Sequence, residues 1–164
     1  MALAKFLNNK LCPVVVAEAM EILGGMGYVE ETPLPMLYRE APLNGIWEGS
    51  GNVIALDILR TMARDPDAAR HLTMALQAPR HSLPAYDRAF EAWARDWSGL
   101  PSEAEARRFA AETARLLTAA ELIASAPTAV AEAYAATRLE GASVIYGASR
   151  LTPAPLLERL SSGA

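Results

Sequence analysis

Apolar residues recur at the three- and four-residue spacing of α-helices along almost the whole chain, and prolines and glycines separate the runs. No stretch shows the alternation of apolar and polar residues that is typical of a half-buried strand. We therefore expect an all-α helical bundle, in which residues 66–164 form a helical extension that packs on the same bundle as residues 1–65. Helices are predicted over residues 4–23, 50–65, 66–77, 85–97, 102–126 and 127–140, followed by a weaker helical tail that includes Val144, Ile145 and Leu156.

Individual residues predict where these helices begin or bend. Pro13 is expected to kink or split the first helix, because proline cannot donate the backbone hydrogen bond of a helix interior. Ser50 or Asn52 is expected to cap the helix that follows. The SEAE sequence that begins at Ser102 has the spacing of a capping box, so a helix should open there.

Composition restricts the class of protein. A chain of 164 residues, 52% of them apolar, can bury a sizeable core, and a net charge of −4 argues against a dedicated nucleic-acid binder. The single cysteine, Cys12, forms no internal disulfide and indicates a reducing compartment. Since no signal peptide and no membrane-spanning stretch is recognisable, we expect a cytoplasmic protein.

The sequence lacks the common catalytic constellations. His71 and His81 have no metal-ligand spacing with Cys12 or with a carboxylate pair, so no metal site is expected. Ser50 lies in EGSGN, which is not the G-x-S-x-G sequence of a nucleophile elbow. No phosphate-binding Walker sequence is present.

Two glycine turns remain as candidate sites, GGMGY at residues 24–28 and WEGSGN at residues 47–52. Glycines ahead of a helix let a ligand approach the backbone, and the free N–H groups of the first turn can hold an anion or a polar cofactor edge. Glu48 precedes a helix, at the positive end of its dipole. Two interpretations stay open, namely ordinary helix capping and a ligand site at which Glu48 faces a substrate.

The two turns occur in a longer recognisable pattern. The segment EILGGMGYVEETPLPMLYREAPLNGIWEGSGNVIALDILR resembles the C-terminal helical domain of the acyl-CoA dehydrogenase family. The family has a Q-x-x-G-G-x-G-Y turn, an Arg-Asp or Arg-Glu pair and a Y-E-G-T-x-x-Q segment or a close variant of it, and residues 21–28, 39–40 and 47–52 match these in order and spacing. Glu21 stands where the family usually has the glutamine, which leaves that contact with the cofactor in doubt. The sequence LYREAPLNGIWEGSGN is most similar to the AidB-like branch of the family. This branch is related to isovaleryl-CoA dehydrogenase and is associated with the response to DNA alkylation.

The resemblance implies that Glu48 is the catalytic base, which removes the α-proton of an acyl-CoA thioester while the β-hydride passes to the flavin of FAD. A carboxylate that removes so weakly acidic a proton has to be shielded from water. Some branches place the base on a helix outside the equivalent segment, so a residue outside this chain is the alternative.

The resemblance also implies contacts with FAD. Gly49 would let the backbone lie against the ligand, and Ser50 and Asn52 stand where the family has a threonine and a glutamine that hydrogen-bond the flavin. Gly24 and Gly25 match the turn at which a neighbouring subunit contacts the adenosine diphosphate half of FAD.

Two further residues of the pattern have structural interpretations. Arg39 is expected to form an ion pair with Glu40 or to contact a helix end. Trp47, in place of the usual tyrosine, is expected in the pocket wall or in the core.

Family enzymes also have an N-terminal helical domain and a middle β-domain, and Met1 begins inside what would be the first helix of the C-terminal domain. We therefore expect a fragment of an acyl-CoA dehydrogenase that is inactive and free of FAD when isolated. The resemblance implies an acyl-CoA substrate and a homodimer or homotetramer, to which the helices of Leu56 and Leu59 and of Trp93 and Trp97 would contribute surplus apolar surface. One alternative is a DNA-associated module, and another is a structural bundle without a ligand. The arginines available for phosphate contacts in the DNA-associated module are Arg60, Arg64, Arg70, Arg80, Arg107, Arg108 and Arg115.

Overall fold

Helices account for all the regular structure in the part of the chain that the computed structural model describes, which is residues 1–141, 145–149, 151 and 154–162. The predicted all-α class is therefore confirmed. The α-helices are α1 (Ala2–Ile22), α2 (Gly25–Tyr28), α3 (Leu34–Glu40), α4 (Gly51–Arg64), α5 (Pro66–Gln77), α6 (Pro84–Asp96), α7 (Ala106–Ser125), α8 (Thr128–Arg138) and α9 (Ala154–Ser162), and the turns Ala41–Gly45 and Glu103–Glu105 are 3₁₀-helical.

Most predicted helices agree with the structure to within a few residues. Helix α1 runs through Pro13 as a single helix, so the chain is not split there. Packing of other elements along α1 outweighs the one backbone bond that a proline removes. The capping box of Ser102 and Glu105 forms as predicted. In the predicted tail, Val144 lies outside the described residues, Ile145 lies in a bend, and Leu156 belongs to α9.

The chain divides into two compact units that do not follow its order. The first unit consists of residues 1–65 and 99–114, and the second of residues 66–98 and 115–164.

Helix α1 is the common support of the first unit. Helices α2, α3 and α4 and the 3₁₀ turn Ala41–Gly45 all pack against it. Helix α4 buries residues at helical spacing, which gives it one apolar face. The buried residues of this unit are Phe6, Leu7, Gly27, Pro35, Ala41, Gly51, Ile54, Ala55, Ile58, Leu59, Ala106, Phe109, Ala110, Thr113 and Ala114.

Gly27 marks the closest approach of backbones in the first unit. A Cβ atom at this position would lie 2.2 Å from the carbonyl oxygen of Met20 in α1. Such a contact is impossible without moving backbone, so only glycine fits where α2 meets α1.

In the second unit, a buried hydroxyl group joins α6 to the end of α5. The Tyr86 hydroxyl donates a 2.6 Å hydrogen bond to the carbonyl oxygen of Leu76, and both residues are fully buried. Leu76 lies in the last turn of α5, where carbonyl groups lack partners within the helix. Beside this bond, the Arg80 guanidinium lies 5.2 Å from the ring centre of Phe90.

The expected surplus of apolar surface lies elsewhere in the chain. Leu59, Trp93 and Trp97 are buried and Leu56 is half-buried, so these four side chains do not supply the expected surplus, although Val53 of the same helix α4 is exposed. These side chains are used by packing inside the folded chain. Many exposed large apolar side chains instead fall in one stretch of the first unit, between residues 14 and 53: Val14, Val15, Ile22, Leu23, Met26, Tyr28, Val29, Met36, Leu37, Tyr38, Leu43, Ile46, Trp47 and Val53.

Substituting Gly27→Ala should destabilise the chain by about 1–3 kcal/mol, because the new methyl group would push α2 away from α1. Gly25→Ala is the matched control, since a Cβ atom at Gly25 has no heavy atom within 4 Å. Urea unfolding followed by circular dichroism measures both free energies of unfolding. Equal values for the two variants would contradict the close approach.

Substituting Tyr86→Phe should lower the free energy of unfolding by about 1–3 kcal/mol, because the Leu76 carbonyl would be left buried without its donor. Tyr38→Phe is the control, since Tyr38 is exposed. Chemical denaturation at neutral pH compares the variants. A Tyr86→Phe chain as stable as the control would show that the buried hydrogen bond contributes nothing.

The same pair of proteins gives a pH test. Burial, and then the neighbouring Asp87 carboxylate, raise the pKa of Tyr86 above its usual value in the folded chain. The unfolded chain releases this proton near pH 10, and the folded chain does not, so the stability that Tyr86 provides is present below about pH 10 and declines above it. The stability difference between wild type and Tyr86→Phe should therefore shrink as the pH rises beyond that value.

Candidate functional site

The backbone ahead of α4 takes a rare conformation at the predicted base. Glu48 has φ 53° and Gly49 has φ 105°, and Ser50 then returns to an extended conformation at the N-cap of α4. Positive φ is easy for glycine and uncommon for glutamate. A residue held in this way costs free energy, which the contacts around it have to offset.

Lys5 of α1 contacts Glu48 at two points. Its Nζ atom donates a 3.0 Å hydrogen bond to the backbone carbonyl oxygen of Glu48 and lies 3.6 Å from the carboxylate Oε2 atom. The Glu48 side chain is 71% exposed, against 30% for Lys5. In this chain the carboxylate is therefore hydrated, and the shielding that a base requires is not supplied by the residues around it.

The start of the same turn is fixed by a second side chain of α1. The amide of Asn9 donates to the backbone carbonyl of Asn44, and the Asn44 side chain accepts a 3.3 Å hydrogen bond from the indole Nε1 of Trp47. Trp47 is exposed, so it is not part of the core as one of its two interpretations required. Its ring is left on the surface beside Glu48.

The two predicted helix caps do not form through side chains. Ser50 occupies the N-cap position of α4, yet its hydroxyl group makes no capping hydrogen bond. The Asn52 side chain instead accepts a 2.8 Å hydrogen bond from the Arg107 guanidinium. Simple helix capping therefore does not account for these polar residues.

The first glycine turn is open. Gly24 has φ 57°, and neither Gly24 nor Gly25 has a heavy atom within 4 Å of the place where a Cβ atom would stand. A ligand could therefore approach the backbone closely, although the Gly24 N–H donates to Glu21 and the carbonyl groups of Gly24 and Gly25 accept bonds from Gly27 and Val29.

One copy of the chain keeps the two glycine turns apart. The second turn meets the beginning of α1, where Gly51 approaches the Phe6 ring, and the first meets its end, where Gly27 lies against Met20. Fourteen helical residues separate Phe6 from Met20, which corresponds to about 21 Å along the axis. The turns therefore do not line one cleft within a single copy.

A groove of ≈ 600 Å³ lies beside the first turn, lined by Met20, Tyr28, Val29, Glu30, Glu31, Pro35, Tyr38 and Arg39. At its edge Arg39 forms a two-pronged ion pair with Glu30, at 2.7 and 3.1 Å. The hydrogen bond from Arg39 is the main cause that lowers the pKa of the Glu30 carboxyl group. The predicted ion pair of Arg39 is thus made with Glu30 and not with Glu40.

Sequence reasoning missed two residues that shape this region. Glu30 lies in an irregular stretch, where no periodicity indicates its partner. Gly27 is the third glycine of GGMG, and this glycine was the only sign of it in the sequence. The close contact with α1 that requires glycine there is seen only in the structure.

No group of three or more potential metal ligands occurs in the described ranges. The backbone N–H of His81 donates to the Asp87 carboxylate at 2.9 Å. Among the same residues, no helix is both long and apolar enough to cross a bilayer.

Four of the arginines considered for phosphate contacts have partners. Arg70 pairs with Asp67, Arg80 with Glu91, Arg108 with Glu112, and Arg107 with Asn52. Pairing with acids reduces the positive charge that these side chains would offer to a nucleic acid.

Comparison of the sequence with known proteins finds relatives for part of the chain. The family model described as "Acyl-CoA dehydrogenase, C-terminal domain" matches residues 1–63. The putative acyl-CoA dehydrogenase AidB of Escherichia coli (strain K12) is 48% identical over 86 residues, which are 52% of this chain and 16% of that protein.

Two eukaryotic relatives match shorter parts. Acyl-CoA dehydrogenase family member 11 of Caenorhabditis elegans is 44% identical over 59 residues, 36% of this chain and 10% of the relative. The mitochondrial short-chain specific acyl-CoA dehydrogenase of Bos taurus is 40% identical over 52 residues, 32% of this chain and 13% of the relative. The chain thus spans no more than about a sixth of the length of these relatives. Residues 1–63 are thus similar to acyl-CoA dehydrogenase C-terminal domains, and the match to AidB confirms the resemblance predicted from the motifs.

Proposed function

We propose that this chain is the C-terminal helical part of an FAD-dependent acyl-CoA dehydrogenase of the AidB-like branch. In this proposal the complete protein introduces an α,β double bond into an acyl-CoA thioester, and Glu48 is the base. The observation that carries the proposal is the Glu48 turn. Glu48 has a strained backbone at the start of α4, and it lies in the WEGSGN sequence that resembles the family motif. Strained backbone of this kind is concentrated at functional sites.

The surroundings of Glu48 suit a site that other parts of an enzyme cover. Ile46, Trp47 and Val53 flank it in sequence, and all three are more than half exposed, at 67%, 55% and 52%. A substrate or domain packed on these apolar side chains would exclude water from the carboxylate. Removing water strengthens a carboxylate as a base.

The residues proposed to hold FAD have groups available for it. Gly24 and Gly25 have open backbone, Gly49 has the positive φ of a close approach, and the Ser50 hydroxyl makes no capping bond. The Asn52 carbonyl oxygen is engaged by Arg107, which leaves its amide hydrogens as the proposed donors. Bound FAD would accept the hydride from the β-carbon of the substrate.

The separation of the two turns supports a homo-oligomer, a dimer or tetramer. With about 21 Å between them along α1, Gly24 and Gly25 would serve the cofactor of a neighbouring copy, while the Glu48 turn serves its own. The exposed apolar stretch between residues 14 and 53 offers surface for such an assembly.

The isolated 164-residue chain should purify without stoichiometric flavin and should not oxidise acyl-CoA thioesters, because it contains at most part of the proposed site. Visible absorbance of the purified chain, before and after addition of FAD, checks this. A stoichiometric flavin spectrum would contradict the prediction.

Glu48→Gln should abolish activity in a hybrid enzyme in which residues 1–63 replace the matching segment of bovine short-chain specific acyl-CoA dehydrogenase. Loss of a general base lowers the rate about 100- to 10,000-fold. The assay follows bleaching of bound flavin by a short-chain acyl-CoA. Glu40→Gln is the control, since it removes the same charge from an exposed residue at the end of α3.

The outcomes separate two claims. A hybrid that binds FAD but is inactive with Glu48 intact would argue against the proposed activity. An active hybrid that tolerates Glu48→Gln would place the base elsewhere and leave the family assignment untouched.

A further inference from the structure

Both lysines of the chain lie in α1 and reach the turn that precedes α4. The Nζ atom of Lys5 bonds the carbonyl oxygen of Glu48, and the end of the Lys10 side chain lies against Gly51, where a Cβ atom would be 2.8 Å from Lys10 Cε. The family motifs contain neither lysine. Helix α1 therefore contacts this turn through side chains that lie outside the motifs.

The turn is anchored by backbone hydrogen bonds on either side of Glu48. The N–H groups of Ile46 and Trp47 both donate to the carbonyl oxygen of Leu43, at 2.9 and 3.1 Å. On the other side, Ile54 N–H donates to Ser50 at 2.9 Å and opens α4. The Lys5 hydrogen bond acts between these anchors, at the residue with the unfavourable φ.

The left-handed conformation of Glu48, at φ 53°, is unfavourable relative to the right-handed region. Such a conformation persists only where the surroundings determine it. A hydrogen bond from a charged donor to the strained residue's own carbonyl is a contact of suitable strength. The Lys5 side chain is 30% exposed, so most of it packs against the protein while its ammonium group bonds the turn.

The two contacts of Lys5 differ in length, and the difference indicates what Lys5 does. The bond to the backbone carbonyl measures 3.0 Å, whereas the distance to the carboxylate is 3.6 Å. Lys5 therefore binds the backbone of Glu48 more closely than it binds the Glu48 carboxylate.

We propose that Lys5 is a positioning residue that holds the Glu48 turn in its left-handed conformation and so aims the carboxylate at the substrate. This inference rests on the proposed function for the role of Glu48. The contact of Lys5 with the turn lies within this chain. The effect of Lys5 on the turn and the role of Glu48 as a base can therefore be tested separately.

The first test uses the full 164-residue chain labelled with ¹⁵N and ¹³C. Lys5→Met keeps the aliphatic stem and removes the donor, so the backbone chemical shifts of Glu48 and Gly49 should move away from positive-φ values, and the amides of residues 48–50 should exchange faster with solvent. Lys5→Arg, which retains a donor, should restore the wild-type shifts. Arg64→Met is the control, since it removes one positive charge from an exposed residue in the last turn of α4, away from the Glu48 turn, and it should leave the Glu48 shifts unchanged.

The second test measures kinetics in the hybrid enzyme described above. Lys5→Met should lower kcat about 10- to 100-fold with KM changed less than about twofold, because misplacing a base slows proton removal more than it weakens substrate binding. Lys5→Arg should recover most of the loss. In a Glu48→Gln background, Lys5→Met should have no further effect on kcat.

Each result decides a distinct claim. Unchanged shifts at residues 48–50 in the Lys5→Met chain would overturn the positioning role, whatever the enzyme does. Moved shifts with an unchanged kcat would show that Lys5 holds the turn but does not serve the base. A hybrid that binds FAD and is inactive with both residues intact would count against the proposed function, and the chain's own spectra would still show whether Lys5 holds the turn.

Discussion

The packing of α1 against the elements that follow it determines the rest of the first unit. Near its end, α1 approaches α2 so closely that Gly27 has no room for a side chain. Near its beginning, Phe6 and the two lysines meet the turn before α4. Because one rigid helix supports both glycine turns, their separation is set by the length of that helix and not by the loops between them.

The same arrangement explains why the Glu48 turn is both precise and exposed. Lys5 and Asn9 fix its backbone from one side, while the Glu48 carboxylate and the Trp47 ring remain open to solvent. In the proposed function, this rigid support would keep the carboxylate in place before a substrate or another domain covers it. Apolar neighbours beside a carboxylate are unfavourable in water, and they become useful once a substrate or another domain excludes it.

Sequence patterns predicted features that depend on neighbouring residues and failed where distant residues compete. Helical periodicity located the helices, and the capping box at Ser102 formed as its spacing indicated. Ser50 fits the N-cap position by type, yet its side chain makes no cap, and Arg39 selected Glu30 over the adjacent Glu40. The partner of Arg39 depends on how the irregular stretch between α2 and α3 folds. That stretch has no helical periodicity from which its fold could be predicted.

The sequence by itself determined the all-α class, the order of the glycine turns and the match of residues 1–63 to the acyl-CoA dehydrogenase C-terminal domain. These follow from residue spacing along the chain. Only the tertiary structure decided that Lys5 bonds the Glu48 turn, that Trp93 is buried while Trp47 is exposed, and that α1 holds the two turns apart. These depend on contacts between residues far apart in sequence, which the packing of α1 creates and no local pattern records.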